Sequence, residues 1–81
     1  MTSLKVLLVD DHRLIRKAIS TLLSNEDEIH TVWEASNSTE CFQLMEMAKP
    51  DIVLMDISLD DVDGISITRE LIQKQPDLKV I

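Results

Sequence analysis

The sequence predicts an α/β fold, a parallel sheet layered with helices. Three observations carry this. Short apolar, β-branched runs alternate with longer segments of helical periodicity. Residues 4–9 and 51–57 are apolar at most positions, as in strands buried on both faces, and lack the strict alternation of a one-sided sheet. The segments joining successive runs are long enough for crossover helices between parallel strands. The predicted order is strand, helix, strand, helix, strand, helix and the start of a fourth strand.

Each element has its own signals. In residues 4–9 only Lys5 is polar. Asp10-Asp11-His12 breaks this run, with Asp11 placed to cap the next helix. There Leu14, Ile15, Ala18, Ile19, Leu22 and Leu23 recur at helical spacing as the inward face, opposite Arg13, Arg16, Lys17, Ser20 and Thr21. Polar residues 24–28 close the helix. Residues 29–35 form a more polar strand, expected at a sheet edge, with Trp33 as packing. Asn37, with Glu40 three residues on, reads as a capping box. Cys41, Leu44, Met45 and Ala48 give the second helix its apolar stripe, with Phe42 beside it. Pro50 disfavours helix at Lys49. Residues 51–57 form the third strand. The acidic loop 58–64 ends in the only glycine, Gly64, suited to a turn or a positive φ. A third helix is expected from about Ile65 to Gln75, facing inward with Ile65, Thr68, Leu71 and Ile72 and stopping at Pro76-Asp77. Residues 78–81 begin another strand.

Composition narrows the function. The 81 residues make one small domain, residues 1–81, and 44% hydrophobic content is that of a globular chain. Fifteen acidic against eight basic residues, a net charge of −7, argue against nucleic acid or an anionic membrane as this segment's partner and favour cations or a basic partner. The single Cys41 excludes an internal disulfide, and there is no Cys/His metal pattern. Met1-Thr2-Ser3 does not open as a signal peptide, and no apolar run nears the ~20 residues that span a bilayer. A soluble, cytoplasmic protein is the expectation.

Two of the strands run into carboxylates: the first into Asp10-Asp11, the third into Asp56. In open parallel sheets ligands bind outside the carboxyl ends of the strands, and neighbouring first and third strands bring these acids together. Clustered carboxylates repel unless a cation neutralises them. Mg²⁺ suits such oxygen ligands. A carboxylate can also attack phosphorus to give an acyl phosphate, with the ion offsetting the repulsion. The expectation is that Asp56 accepts a phosphoryl group while Asp10 and Asp11 help hold the metal. No glycine-rich phosphate loop is present, so a P-loop nucleotide is not the expected donor. Plainer readings stand beside this one. Asp10 and Asp11 can form a turn and a cap, Asp60, Asp61 and Asp63 can be solvated loop charges, and His12 can be a capping or exposed side chain. Cys41, Met45, Met47 and Met55 read as packing. Arg13, Arg16 and Lys17 form a basic patch, either solvated or a docking surface.

The stretches Leu4-Lys5-Val6-Leu7-Leu8-Val9-Asp10-Asp11-His12 and Pro50-Asp51-Ile52-Val53-Leu54-Met55-Asp56-Ile57, with Asp63-Gly64, resemble the receiver domain of two-component response regulators. The resemblance runs along essentially the whole chain. The Asp-Asp-His start and the basic first helix resemble the NarL/LuxR-type subfamily most. The resemblance implies a flavodoxin-like (CheY-like) doubly wound sheet, with Asp56 as phosphoacceptor charged by a sensor histidine kinase or phosphotransfer protein. It implies Mg²⁺ held by the side chains of Asp11 and Asp56 and the backbone carbonyl of Ser58, with Asp10 acting by charge and through water. Beyond assisting its own phosphorylation and dephosphorylation, no enzymatic turnover is implied. It also implies a full-length DNA-binding transcriptional regulator. The family usually has Met-Pro where this chain has Leu59-Asp60, which adds a charge near the metal. A complete receiver has about five strands, so residues 1–81 correspond to its N-terminal part, ending in the fourth strand. The Ser/Thr and Lys that read the phosphate lie beyond that point. An alternative is a signalling-inactive assembly module, a homodimer or swapped oligomer joined through an exposed sheet edge. A third reading, a phosphatase with an Asp nucleophile, is disfavoured by Ser58 two residues after Asp56, where one common form has a second acid.

Overall fold

The computed structural model describes residues 3–56, 59 and 64–81. The elements are β1 (Leu4–Val9), α1 (Arg13–Ser24), β2 (Ile29–Ala35), α2 (Ser38–Ala48), β3 (Ile52–Met55), α3 (Gly64–Lys74) and β4 (Lys79–Val80). The sheet has the order β2-β1-β3-β4, and every pairing is parallel. The chain therefore steps outward from β1 to β2, then crosses back to lay β3 on the other side of β1. That reversal makes the carboxyl ends of β1 and β3 the switch point of a doubly wound sheet, the flavodoxin-like arrangement. The expected edge position of β2 and the adjacency of β1 and β3 both hold.

Alternation along the strands splits the interior in two. Leu7, Val9 and Val53 face α2 and α3, where they pack with Ala35, Cys41, Met45, Leu59, Ile67 and Leu71 as the core. Leu8 and Leu54 turn the other way. With Ile15 and Ile19 of α1 they line an open groove of about 360 Å³, which Asp10, His12, Asp56 and Ile81 also border. At the opposite end of the sheet, the Asp51 side chain accepts a hydrogen bond from the Lys5 backbone N–H at 2.9 Å.

α1 sits differently from its expected orientation. None of its residues is buried, and Leu14, Ile15 and Leu22 are 86, 52 and 68% exposed. The least exposed residues are Arg16, Ile19, Ser20 and Leu23, a helical stripe rotated from the apolar one. The rotation follows from Arg16, which is drawn inward to polar partners at the end of β1. In α2 the capping box forms in a shifted version. Asn37 Oδ1 accepts from the Glu40 N–H at 2.8 Å, while Glu40 Oε1 accepts from both the N–H and hydroxyl of Ser36 at 2.7 Å. Those two Ser36 bonds hold the Glu40 carboxyl below its usual range. Burial pushes the Cys41 thiol up to about 11, so this side chain is packing, as expected. Lys49 ends α2 in the left-handed region with φ 50°, a conformation that costs a non-glycine residue about 1–2 kcal/mol.

Gly64 is not a turn residue. It is the buried first residue of α3 and has no positive φ. Starting the helix there sets the inward stripe as Gly64, Ile67 and Leu71, with Thr68 half-buried and its hydroxyl bonded to the Gly64 carbonyl at 2.9 Å. Ile65 and Ile72, expected inward, are 53 and 42% exposed. β3 is described to Met55; its expected extension to Ile57 and the loop positions Ser58, Asp60, Asp61 and Asp63 lie outside the described residues.

The α2 cap makes two predictions. Asn37→Ala should cost about 1 kcal/mol of stability in urea denaturation. Glu40 is more acidic folded than unfolded. Its contribution is therefore present above the ordinary carboxyl value of 4.5 and is lost as pH falls through the folded value. Glu40→Gln should be less stable than the parent at neutral pH, and the gap should close on acidification below 4.5.

Candidate functional site

Backbone pairing brings the acids together. Val9 is in register with Met55. One residue further on, the Asp56 N–H donates to the Val9 carbonyl at 2.9 Å, and the Asp10 N–H donates to the Ala35 carbonyl at 3.0 Å. Asp10 and Asp56 thus leave two adjacent strands side by side, and Asp11 follows at once. Asp10, Asp11, His12 and Asp56 each offer a potential ligand atom, all within 4.8 Å of one another. The three carboxylate side chains are only 13, 12 and 18% exposed, in that order.

His12 closes over them. Its Nδ1 lies 2.9 Å from Asp10 Oδ1, 3.0 Å from Asp11 Oδ1 and 3.5 Å from Asp56 Oδ2. Its backbone N–H also donates to Asp10 Oδ1, at 2.8 Å. The hydrogen bond to Asp10 and the charge of Asp11 raise the imidazole pKa above its ordinary 6.5. The N-cap position of α1 falls one residue after Asp11. His12 occupies the N-cap position of α1 without a side-chain bond to the helix. Asp10 accepts the local N–H, leaving Asp11 in the cluster.

Behind the acids stands a brace. Arg16 Nη1 donates to the Asp10 carbonyl at 2.6 Å, and Arg16 Nε donates to Glu34 Oε1 at 3.1 Å. Lys17 Nζ donates to Glu34 Oε2, also at 3.1 Å. Burial pushes Glu34 toward protonation, but the bonds from Lys17 and Arg16 outweigh it and hold the carboxyl below its usual range. Two of the three cations in the expected basic patch are therefore engaged with β2 and the end of β1. The pattern had one sequence signal, Glu34 as an acid inside an otherwise apolar stretch of strand. The closure by His12 had another, its position two residues after Asp10. Of the expected site residues, Asp10, Asp11 and Asp56 converge; Ser58 lies outside the described residues.

Oxygen donors at this spacing suit a hard divalent ion, and a carboxylate at a strand end suits attack on phosphorus. A family model described as the response regulator receiver domain matches residues 6–81. The chain belongs to that family. This receiver is 40% identical over 78 residues to the response regulator GacA of Pseudomonas aeruginosa, covering 96% of the chain and 36% of GacA. It thus spans about a third of that curated relative. A LuxR-family two-component response regulator from Aurantimonas superposes with a TM-score of 0.87 at 30% identity, over 98% of this chain and 56% of that one. The response regulator TrrA of Thermotoga maritima, solved with Mg²⁺ and BeF, gives 0.86 at 26% identity, over 99% of this chain and 66% of TrrA. The receiver's resemblance to the NarL/LuxR-type branch accords with the LuxR-family regulator among these relatives.

The brace is testable. Arg16→Met removes the donor to the Asp10 carbonyl and to Glu34 and should lower the receiver's stability by about 1–3 kcal/mol in urea denaturation.

Proposed function

We propose that this receiver accepts a phosphoryl group on Asp56 from a phosphohistidine of a sensor histidine kinase or phosphotransfer protein. The observation that carries the reading is the convergence of Asp10, Asp11 and Asp56 within 4.8 Å at the carboxyl ends of two adjacent parallel strands. An Asp56 carboxylate oxygen forms the new bond to phosphorus as the donor's P–N bond breaks. The P–N electron pair returns to the donor imidazole, which takes a proton. Asp11 and Asp56, with the Ser58 carbonyl, are the residues that would hold Mg²⁺, and Asp10 would act by charge and through water. When bound, the ion offsets the repulsion between Asp56 and the phosphoryl oxygens. The fit rests on the donor set, three carboxylates that repel one another at this spacing and offer oxygen ligands to a hard ion. The complex of TrrA with Mg²⁺ and BeF supports it by analogy. The Asp10 carbonyl, held by Arg16, keeps the turn in place during the transfer.

The full-length protein is read as a DNA-binding transcriptional regulator of the NarL/LuxR type, of which residues 1–81 form the N-terminal part of the receiver. The cytoplasm is its proposed location; among the described residues, no helix is long and apolar enough to cross a membrane. A second reading, self-assembly, is favoured by the open groove beside α1 and the exposed Leu14 and Leu22. A monomer by light scattering at micromolar concentration would remove it.

Incubation with acetyl phosphate should label the protein in a Mg²⁺-dependent, base-labile manner, and Asp56→Asn should reduce labelling to background. Labelling that survives in Asp56→Asn would overturn the assignment.

A further inference from the structure

We propose that Glu34 and Arg16 are positioning residues for the acceptor site. Anchored on β2, they fix the plane of the Asp10–Asp11 peptide and so aim the Asp11 carboxylate at the divalent ion. The proposal rests on the reading of Asp10, Asp11 and Asp56 above and deepens it, since neither Glu34 nor Arg16 belongs to the group of ligand atoms.

The backbone of Asp10 is held at both ends. Its N–H donates to the Ala35 carbonyl at 3.0 Å, and its carbonyl accepts from Arg16 Nη1 at 2.6 Å. The peptide unit joining Asp10 to Asp11 is planar. A carbonyl held in one direction therefore fixes where the Asp11 Cα stands and limits where its side chain can reach. Asp11 needs such a constraint. β1 ends at Val9 and α1 begins at Arg13, so Asp11 belongs to neither element.

Arg16 in turn takes its direction from Glu34. Its Nε donates to Glu34 Oε1 at 3.1 Å, while the same planar guanidinium carries Nη1 to the Asp10 carbonyl. Glu34 is in register with Leu8, so the β1–β2 ladder fixes its backbone, and Lys17 Nζ holds its other oxygen at 3.1 Å. The contacts thus run from a sheet residue through one rigid fork to the Asp10–Asp11 peptide. The Arg16 and Glu34 side chains are only 13 and 22% exposed. An ion pair withdrawn from water in this way adds little stability over apolar residues of the same volume. The seating of α1 that makes it also leaves Leu14 and Leu22 in solvent. What the pair supplies is direction, which a guanidinium fork gives and apolar packing does not.

The test compares the parent with Arg16→Met/Glu34→Met, Arg16→Lys and Asp11→Asn by calorimetric titration with Mg²⁺ and by urea denaturation. Replacing both partners with apolar side chains leaves neither charge buried alone, so the double variant should keep the parent's urea midpoint. It should nonetheless bind Mg²⁺ about 10–100-fold more weakly, the scale of losing a residue that orients a metal ligand. Arg16→Lys keeps the charge, but one ammonium cannot serve both partners as the fork does, and Mg²⁺ binding should weaken about three- to tenfold. A pair with a merely structural role would leave the Mg²⁺ affinity of every folded variant at these two positions unchanged. A folded double variant that binds Mg²⁺ within about twofold of the parent overturns the positioning role. If the double variant does not fold, Arg16→Lys binding in that same range overturns it. Loss of Mg²⁺ binding in Asp11→Asn would then leave the carboxylate site standing, whereas failure of the parent to bind Mg²⁺ would overturn both readings.

Discussion

Mutual repulsion among Asp10, Asp11 and Asp56 is the constraint on which the rest of the domain depends. Carboxylates this close and this little exposed do not gather unless the backbone leaves them no alternative. The parallel β1–β3 pairing supplies that compulsion. Its ladder continues to the Asp56 N–H on the Val9 carbonyl, and the β1–β2 ladder continues to the Asp10 N–H on the Ala35 carbonyl, which together fix where both acids begin. The core of Leu7, Val9 and Val53 under α2 and α3 keeps the two strands in register. A one-residue slip would turn these side chains out of the core and carry the acids apart.

The second layer of support is electrostatic and comes from α1. Arg16 reaches back to the Asp10 carbonyl and sideways to Glu34, while His12 faces the carboxylates themselves. Positive charge and N–H donors thus surround the acids from behind and above, as a cluster of like charges requires. The cost is borne by the helix. Turning Arg16 inward places Leu14 and Leu22 at the surface, opposite to what their hydrophobicity favours. The polar end of the sheet therefore sets the rotation of α1 more than the apolar stripe does.

This explains which parts of the molecule were legible in the chain. β1 was readable to the residue because a strand buried on both faces writes itself as an unbroken apolar run. The α2 cap was readable because Asn37 and Glu40 are local to it. The acids were readable as strand ends. The orientation of α1 was not, because it depends on Arg16 meeting Glu34, 18 residues away, and on a backbone carbonyl that has no sequence signature. The inward face of α3 was legible at Leu71 and Thr68 but not at Ile65 and Ile72, for a related reason. Gly64 lacks a side chain and carries no hydrophobic weight in a periodicity, yet its helical start rotates the stripe onto Ile67 and Leu71. The gathering of His12 with the acids needed the fold, because a histidine beside a helix start has many ordinary uses.

The small hydrogen bond from the Lys5 N–H to Asp51 at the far end of the sheet has a temporal meaning. It joins residues 46 positions apart, and the whole β1–β3 ladder spans a similar separation. Loop-closure entropy for such a contact must be overcome before any of its reward arrives. As the chain emerges during synthesis, β1 is made first yet completes its pairing only after β3 has followed. In the interval Leu7 and Val9, the most deeply buried side chains of the finished strand, are exposed together with an unpaired strand edge. The topology that brings the acids together therefore also makes the domain's central strand its most vulnerable segment while it folds.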